Sequence, residues 1–203
     1  MTAQSRSPRG FTLTELIVTL AIGVILMTLA IPSFLSFRRS SELNAATSTL
    51  LASLNAARGE AMKRGLNAMA VPVTNGSDWA KGWVVFVDKN RNHIYDDPVN
   101  DILIQSQESL PFYITVVGNN NASGASPYVM FDASGYAAQK GAGGSATGGP
   151  GNLAFKITST NISSSFSDAT RLVIIAPTGR VRSCKPLSAT DPDCLFSSSA
   201  TAF

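Results

Sequence analysis

The sequence predicts an α+β protein in which one long N-terminal helix packs on an antiparallel β-rich head. Two observations carry that prediction. Apolar residues run almost unbroken from Leu16 to Ile31, and beyond Pro32 they recur every third or fourth residue as far as Ala61. After Gly65 the period switches to alternation, in short runs rich in Val, Ile, Phe and Tyr separated by Gly, Pro, Asn and Ser clusters. A helix followed by strands in this order gives one or two antiparallel sheets with the helix against them.

Residues 1–10 form a basic leader with Arg6 and Arg9, ending at Gly10. A secretory signal peptide is cut after its apolar core. Here the one fitting junction, Gly10/Phe11, comes before it, so the apolar stretch stays on the mature chain. From Leu16 to Ile31 only Thr19 and Thr28 have non-apolar side chains, and Gly23 alone weakens the helix. Continued through Phe34, Leu35 and Phe37, residues 11–37 are long enough to span a bilayer. Arg6 and Arg9 then hold the leader on the cytoplasmic side. Pro32 removes one backbone donor and predicts a kink or local melting. Glu15 is the feature a plain anchor does not explain, because a carboxylate at the centre of a bilayer costs ~3 kcal/mol or more. It is either an interfacial acid reaching the headgroups, or the partner of the amino group that a cut before Phe11 creates on a neighbouring subunit.

Arg9-Gly10-Phe11-Thr12-Leu13-Thr14-Glu15-Leu16, followed by an apolar helix, resembles the class III signal of type IV pilins and type II secretion pseudopilins. The resemblance implies cleavage after Gly10 by the prepilin peptidase, N-methylation of Phe11 and a registry role for Glu15 in a helical filament. It also implies a single-pass inner-membrane protein with its head in the periplasm, later built into an extracellular pilus beside major and minor pilins.

Residues 38–65 read as the amphipathic second half of the helix. Leu43, Ala46, Leu50, Leu54, Ala57 and Ala61 mark one apolar face, with most charges off that stripe. Gly65 is a fitting stop. A helix unbroken from Phe11 to Arg64 would be about 80 Å long. A coiled coil is the alternative for its second half, but the strand-rich residues 66–203 supply something to pack against. Strands are expected at 68–73, 82–88, 102–107, 112–117, 128–132, 153–159, 171–176 and 180–184. The Gly/Ala-rich connection 134–151 is expected to be mobile, and 197–203 frayed. The stretches Asn55-Ala-Ala-Arg-Gly-Glu-Ala-Met-Lys-Arg64, Gly82-Trp83-Val84-Val85-Phe86-Val87-Asp88 and Gly179-Arg180-Val181-Arg182 resemble GspH/FimT-type minor pilins over most of the chain.

Composition sets the limits of function. A chain of 203 residues accommodates one domain and an anchor, and 44% hydrophobic with 14% charged residues argues against wholesale disorder. Loss of Arg6 and Arg9 takes the formal charge from +3 to +1, so any basic character is local. Cys184 and Cys194 would face an oxidising compartment, which favours a disulfide. Two cysteines and the single His93 fall short of a structural zinc set. Enzyme readings lack a constellation: one histidine, no Gly-x-Ser-x-Gly, no P-loop and no implied cofactor.

Two stretches could bind something. Residues 88–97 place oxygen side chains at Asp88, Asn90, Asn92, Asp96 and Asp97, like the start of a calcium loop. His93 stands where that loop needs glycine and Val99 where it needs a bidentate glutamate, so an Asn/Asp-rich turn is the better reading. Trp79 and Trp83 could stack bases, though a core role fits them better. Arg171, Arg180, Arg182 and Lys185 form a run without an acid. In an extended strand Arg180 and Arg182 share a face roughly 7 Å apart, able to grip phosphates non-specifically, with Gly179 permitting close approach. The GRxR pattern resembles the DNA-contacting motif of FimT-type minor pilins of natural transformation, which implies double-stranded DNA as a partner. The alternatives are a charged edge strand that resists aggregation, in a priming minor pilin or a type II secretion pseudopilin that binds no DNA.

Overall fold

The structure is a computed structural model that describes residues 10–74, 76, 78–96, 99–141, 146–147, 153–162 and 165–196, of which 29–33 and 146–147 are described by their backbone alone. The expectations for the leader before Gly10 and for 197–203 lie outside the described residues. The chain forms two compact units, one up to Arg38 and one from Arg39 onward.

The first helix, α1 (Leu13–Arg64), continues through Pro32, so the local melting expected there is not found. One missing donor costs one rung, and the turns on either side keep the backbone helical. At its start Thr12 and Glu15 make a capping box. Thr12 Oγ1 accepts the Glu15 N–H at 3.3 Å, and the Glu15 carboxylate accepts the Thr12 N–H and hydroxyl at 2.9 Å each. Every large apolar residue described between Phe11 and Met27 is exposed, and so are Phe34, Leu35 and Phe37. Among the described residues no helix is long and apolar enough to cross a membrane. The expected span over 11–37 includes residues 29–33, of which the backbone alone is described.

The second unit begins with the last turns of α1. Leu43, Ala46, Leu50, Leu54, Ala57 and Ala61, the stripe expected from the sequence, are all buried. Gly65, at φ 65°, ends the helix, and the N–H groups of Gly65 and Leu66 both return to the Ala61 carbonyl.

Among the described residues ten strands follow: β1 (Asn67–Pro72), β2 (Trp83–Asp88), β3 (Asp101–Gln107), β4 (Ile114–Gly118), β5 (Val129–Phe131), β6 (Ala137–Lys140), β7 (Ala146–Thr147), β8 (Leu153–Ser159), β9 (Thr170–Ile175) and β10 (Val181–Cys184). A four-residue helix, α2 (Phe166–Ala169), precedes β9. The strands make two antiparallel sheets, ordered β3-β2-β1-β5-β6-β7 and β10-β9-β8-β4. Alternation builds the core between them. Ala68, Ala70, Val85, Val87, Val129 and Phe131 from the first sheet join Ile114, Val116, Phe155, Ile157, Val173 and Ile175 from the second, together with the α1 stripe. Trp79 and Trp83 are in that core, and Trp79 Nε1 donates to the Ala122 carbonyl at 2.9 Å. They are core residues, not a stacking platform.

One expectation is corrected here. β6 and β7 lie inside the stretch 134–151 that was expected to be a mobile connection. Ala137-Ala138-Gln139-Lys140 carries little strand preference of its own. It is extended because Met130 and Phe131 of β5 pair with Ala138 and Ala137.

The outer faces are covered too. Met69, Phe86, Met130 and Ala138 form a second cluster under Tyr95 and Tyr128. Ala154, Leu172 and Ile174 form a third, closed by Cys184, Cys194 and Phe196.

Candidate functional site

β9 and β10 join through Pro177, Thr178 and Gly179. The Gly179 N–H donates to the Ala176 carbonyl at 2.8 Å and the Ala176 N–H to the Arg180 carbonyl at 2.9 Å. Gly179 has φ 78°, as a three-residue hairpin loop requires of its last residue. Gly179 is buried, and a Cβ built on it would run into the Gly135 carbonyl oxygen and come within 3.0 Å of Arg58 Nε. Arg58 of α1 fastens the same corner, donating from Nε to the Gly135 carbonyl at 2.9 Å and from Nη2 to the Thr178 carbonyl at 3.4 Å. The Ala137 N–H adds a bond of 3.0 Å to the Pro177 carbonyl. The glycine therefore answers to the turn and to the packed corner behind it, and not to a phosphate that must come close.

Arg171, Arg182 and Lys185 are each engaged within the head. Arg171 Nε donates to Asn44 Oδ1 at 2.9 Å, and its Nη1 donates to the carbonyls of Ser167, Asp168 and Thr170. It closes the C-terminal end of α2, and burial, opposed by Asp168, pushes its pKa down. Lys185 Nζ is 2.7 Å from Asp168 Oδ1, with both side chains about half exposed. An acid that precedes the basic run in sequence is thus folded into it.

Arg180 and Arg182 stand next to and within the edge strand β10. Arg180 is exposed. Arg182, opposite Ile174, is half-buried, and its Nη2 donates to the Asp193 carbonyl at 2.8 Å. Its Nε is buried without a hydrogen-bond partner among the described residues. The loop that covers it is closed by the disulfide Cys184–Cys194, whose Cα atoms are 5.9 Å apart. Asp191 orders that loop by accepting the Leu187 N–H at 2.8 Å and the Asp193 N–H at 3.0 Å. The Leu187 N–H is the larger cause holding its carboxyl below the usual range.

The loop after β2 is a turn. Asp88 accepts the N–H groups of Asn92 and His93, Asp101 those of Lys89 and Asp96, and Asp96 is bonded by the Asn90 side chain. The carboxylates are spent on backbone and amide donors, and no group that could hold a metal ion occurs among the described residues. Sequence reasoning missed Asp101, buried at the far end of this turn, and Arg58, the corner residue. Neither has a local signal, because what makes them matter is a contact made elsewhere in the chain.

An α1 whose exposed apolar start is capped by its own acid, followed by a helix-backed pair of antiparallel sheets, defines the pilin class of filament subunits. The prokaryotic N-terminal methylation motif matches residues 5–31, and the family described as type II transport protein GspH matches residues 46–179. The chain belongs to that family of minor pilins and pseudopilins, which are structural and not enzymatic. The crystal structure of the type IV minor pilin FimU from Pseudomonas aeruginosa PAO1 is similar at TM-score 0.50 and 19% identity, covering 72% of this chain and 90% of that one. The minor pseudopilin EpsH of the Vibrio cholerae type 2 secretion system is similar at TM-score 0.46 and 13% identity, covering 72% of this chain and 99% of that one. No curated protein matches the sequence.

Proposed function

We propose that this chain is a minor subunit of a type IV filament, cut between Gly10 and Phe11, anchored in the inner membrane by residues 11–37 and then built into the pilus beside other pilins. The observation that carries this is the start of α1. Its described apolar residues from Phe11 to Met27 are all exposed, which water does not favour and lipid or neighbouring helices do. Glu15 is the one acid there, and it now caps its own helix. After cleavage the new amino group at Phe11 of a neighbour is the charge it would meet. Glu15→Gln separates the two roles, because glutamine at this helix position still completes a capping box but cannot form the ion pair. The expected result is a membrane-inserted chain, shortened by the ten leader residues, that no longer enters filaments. A wild-type chain purified from the membrane with residues 1–10 still attached overturns the proposal.

A second reading, capture of double-stranded DNA for natural transformation, is favoured by Arg180 being exposed beside the edge strand, two residues from Arg182. The grip is smaller than the sequence suggests, since Arg171 and Lys185 have partners within the head. With two phosphate contacts the slope of log affinity against log salt would be about −2. Replacing both arginines by alanine in the full-length chain in detergent should abolish binding to a duplex of arbitrary sequence. Wild type that ignores DNA at low salt leaves a priming or pseudopilin subunit, with this surface turned to other pilins.

A further inference from the structure

Among the described phenylalanines of the head, Phe86, Phe131 and Phe155 are fully buried and Phe196 is half-buried, whereas Phe112 is 95% exposed and Phe166 45%. The strand register puts the two exposed rings at the same end of the second sheet. Ile114, two residues after Phe112, pairs with Ser159, and the adjacent Thr158 pairs with Thr170, which directly follows α2. The second unit's part of α1 begins at this end. The Tyr113 hydroxyl donates to the Glu42 carboxylate at 2.8 Å, and Arg171 Nε donates to Asn44 Oδ1 at 2.9 Å. Arg58, further along α1, bonds the Thr178 carbonyl in the β9–β10 hairpin, at the opposite end of the same sheet.

Both exposed rings sit on fixed backbone. The Ile114 N–H bond of 2.8 Å to the Pro111 carbonyl closes the turn that carries Phe112. Tyr113, tied to Glu42, stands edge-on to Phe112 with ring centroids 5.3 Å apart. Phe166 opens α2, whose cap Ser165 accepts the Asp168 N–H at 3.1 Å and whose last carbonyls are held by Arg171. Two large rings held in water at one end gain from transfer to an apolar phase. The chain keeps such a phase within reach. Glu42 is five residues past Phe37, the last residue of the proposed anchor, which is at most about 18 Å of chain in any conformation.

We propose that this end of the head rests on the bilayer that holds residues 11–37, with Phe112 and Phe166 entering the lipid interface. Apolar groups placed so lie about 5–10 Å into the boundary between headgroups and acyl chains. The inference rests on the anchoring reading of the preceding section and adds the surface on which the head stands before assembly. The β9–β10 hairpin, at the other end of the sheet, is left facing away from the lipid.

The test is fluorescence of the full-length chain reconstituted in phosphatidylcholine vesicles, with and without bromine on the lipid acyl chains. Phe112→Trp puts a reporter where the ring is almost wholly exposed, and Thr178→Trp puts one on the exposed hairpin at the opposite end. Trp79 and Trp83 are fully buried, so their emission in wild type reports a folded head out of reach of the quencher. The emission added by Phe112→Trp should shift to the blue on reconstitution and be largely lost in brominated vesicles. That of Thr178→Trp and of wild type should be kept. Adding Phe166→Asp to Phe112→Trp should restore much of the lost emission. Flotation tells the two possible failures apart. A chain that does not float with the vesicles overturns the anchoring reading and this inference with it. A chain that floats while Phe112→Trp stays unquenched overturns this inference alone. Equal quenching of Phe112→Trp and Thr178→Trp also overturns it, because the head then has no lipid-facing end.

Discussion

Gly179→Ala tests whether the Gly-Arg-Val-Arg glycine serves the fold or a ligand. At φ 78° an alanine carries a left-handed backbone cost of about 1–2 kcal/mol. Its Cβ would also displace the Gly135 carbonyl, which accepts from Arg58 Nε at 2.9 Å. Loss of a hydrogen bond to a charged group adds about 1.5–3 kcal/mol. Together the change should destabilise the head by about 2.5–5 kcal/mol, or roughly 5–20 °C in midpoint for a unit of this size. Urea unfolding followed by Trp fluorescence reports the head alone, since the only tryptophans, Trp79 and Trp83, are in its core. Gly124→Ala is the control, because Gly124 has φ 93° but nothing within 4 Å of its Cβ position. It should show the backbone cost without the crowding. Arg58→Ala combined with Gly179→Ala should cost less than the two singly, because both lose the same bond. A Gly179→Ala protein no less stable than Gly124→Ala refutes the packed corner and returns the glycine to the ligand reading.

Two further outcomes follow from the head. Cys184→Ser with Cys194→Ser should lower stability by about 3 kcal/mol by the loop-entropy relation, read as a shift in the urea midpoint, since the residues bridged are 10 apart in sequence. Asp101 gives a pH dependence of a particular sign. Burial is the first cause raising its pKa, with the charges of Asp88 and Asp96 adding to it against two backbone N–H bonds. The folded state therefore holds this proton more tightly than the unfolded chain does. Asp101 should cost least below its unfolded pKa of about 3.9, and the cost should grow as pH rises through the raised folded value. Wild type should accordingly gain stability relative to Asp101→Asn on acidification from neutral pH toward pH ~4. A gap that widens in the opposite direction shows that the N–H bonds outweigh the burial.

What the sequence disclosed was whatever repeats with a period. The α1 stripe was legible because six apolar residues at helical spacing have one way to be buried together, and all six are. β8 matches its expected bounds, 153–159, because alternation and flanking glycine agree there. β6 was not legible, since Ala-Ala-Gln-Lys is extended only through its pairing with β5. The long helix was expected and α1 runs through Pro32; local melting was expected there only because that residue's preference was weighed without the turns on either side.

The cations show why a charge run read along the chain overstates a surface. Arg171 finds Asn44, 127 residues away, and three carbonyls at the end of α2. Lys185 finds Asp168, 17 residues away. Neither partner lies within residues 171–185, so the run looked free of acids, yet the two side chains nearest the helix were the ones folding could neutralise. Arg182 shows the intermediate case, held by a carbonyl of the disulfide loop while its Nε is left without a partner among the described residues. The basic surface is therefore narrower than the basic sequence. If the hairpin binds an anion, exposed Arg180 should contribute more than half-buried Arg171, and Arg180→Ala should reduce affinity more than Arg171→Ala.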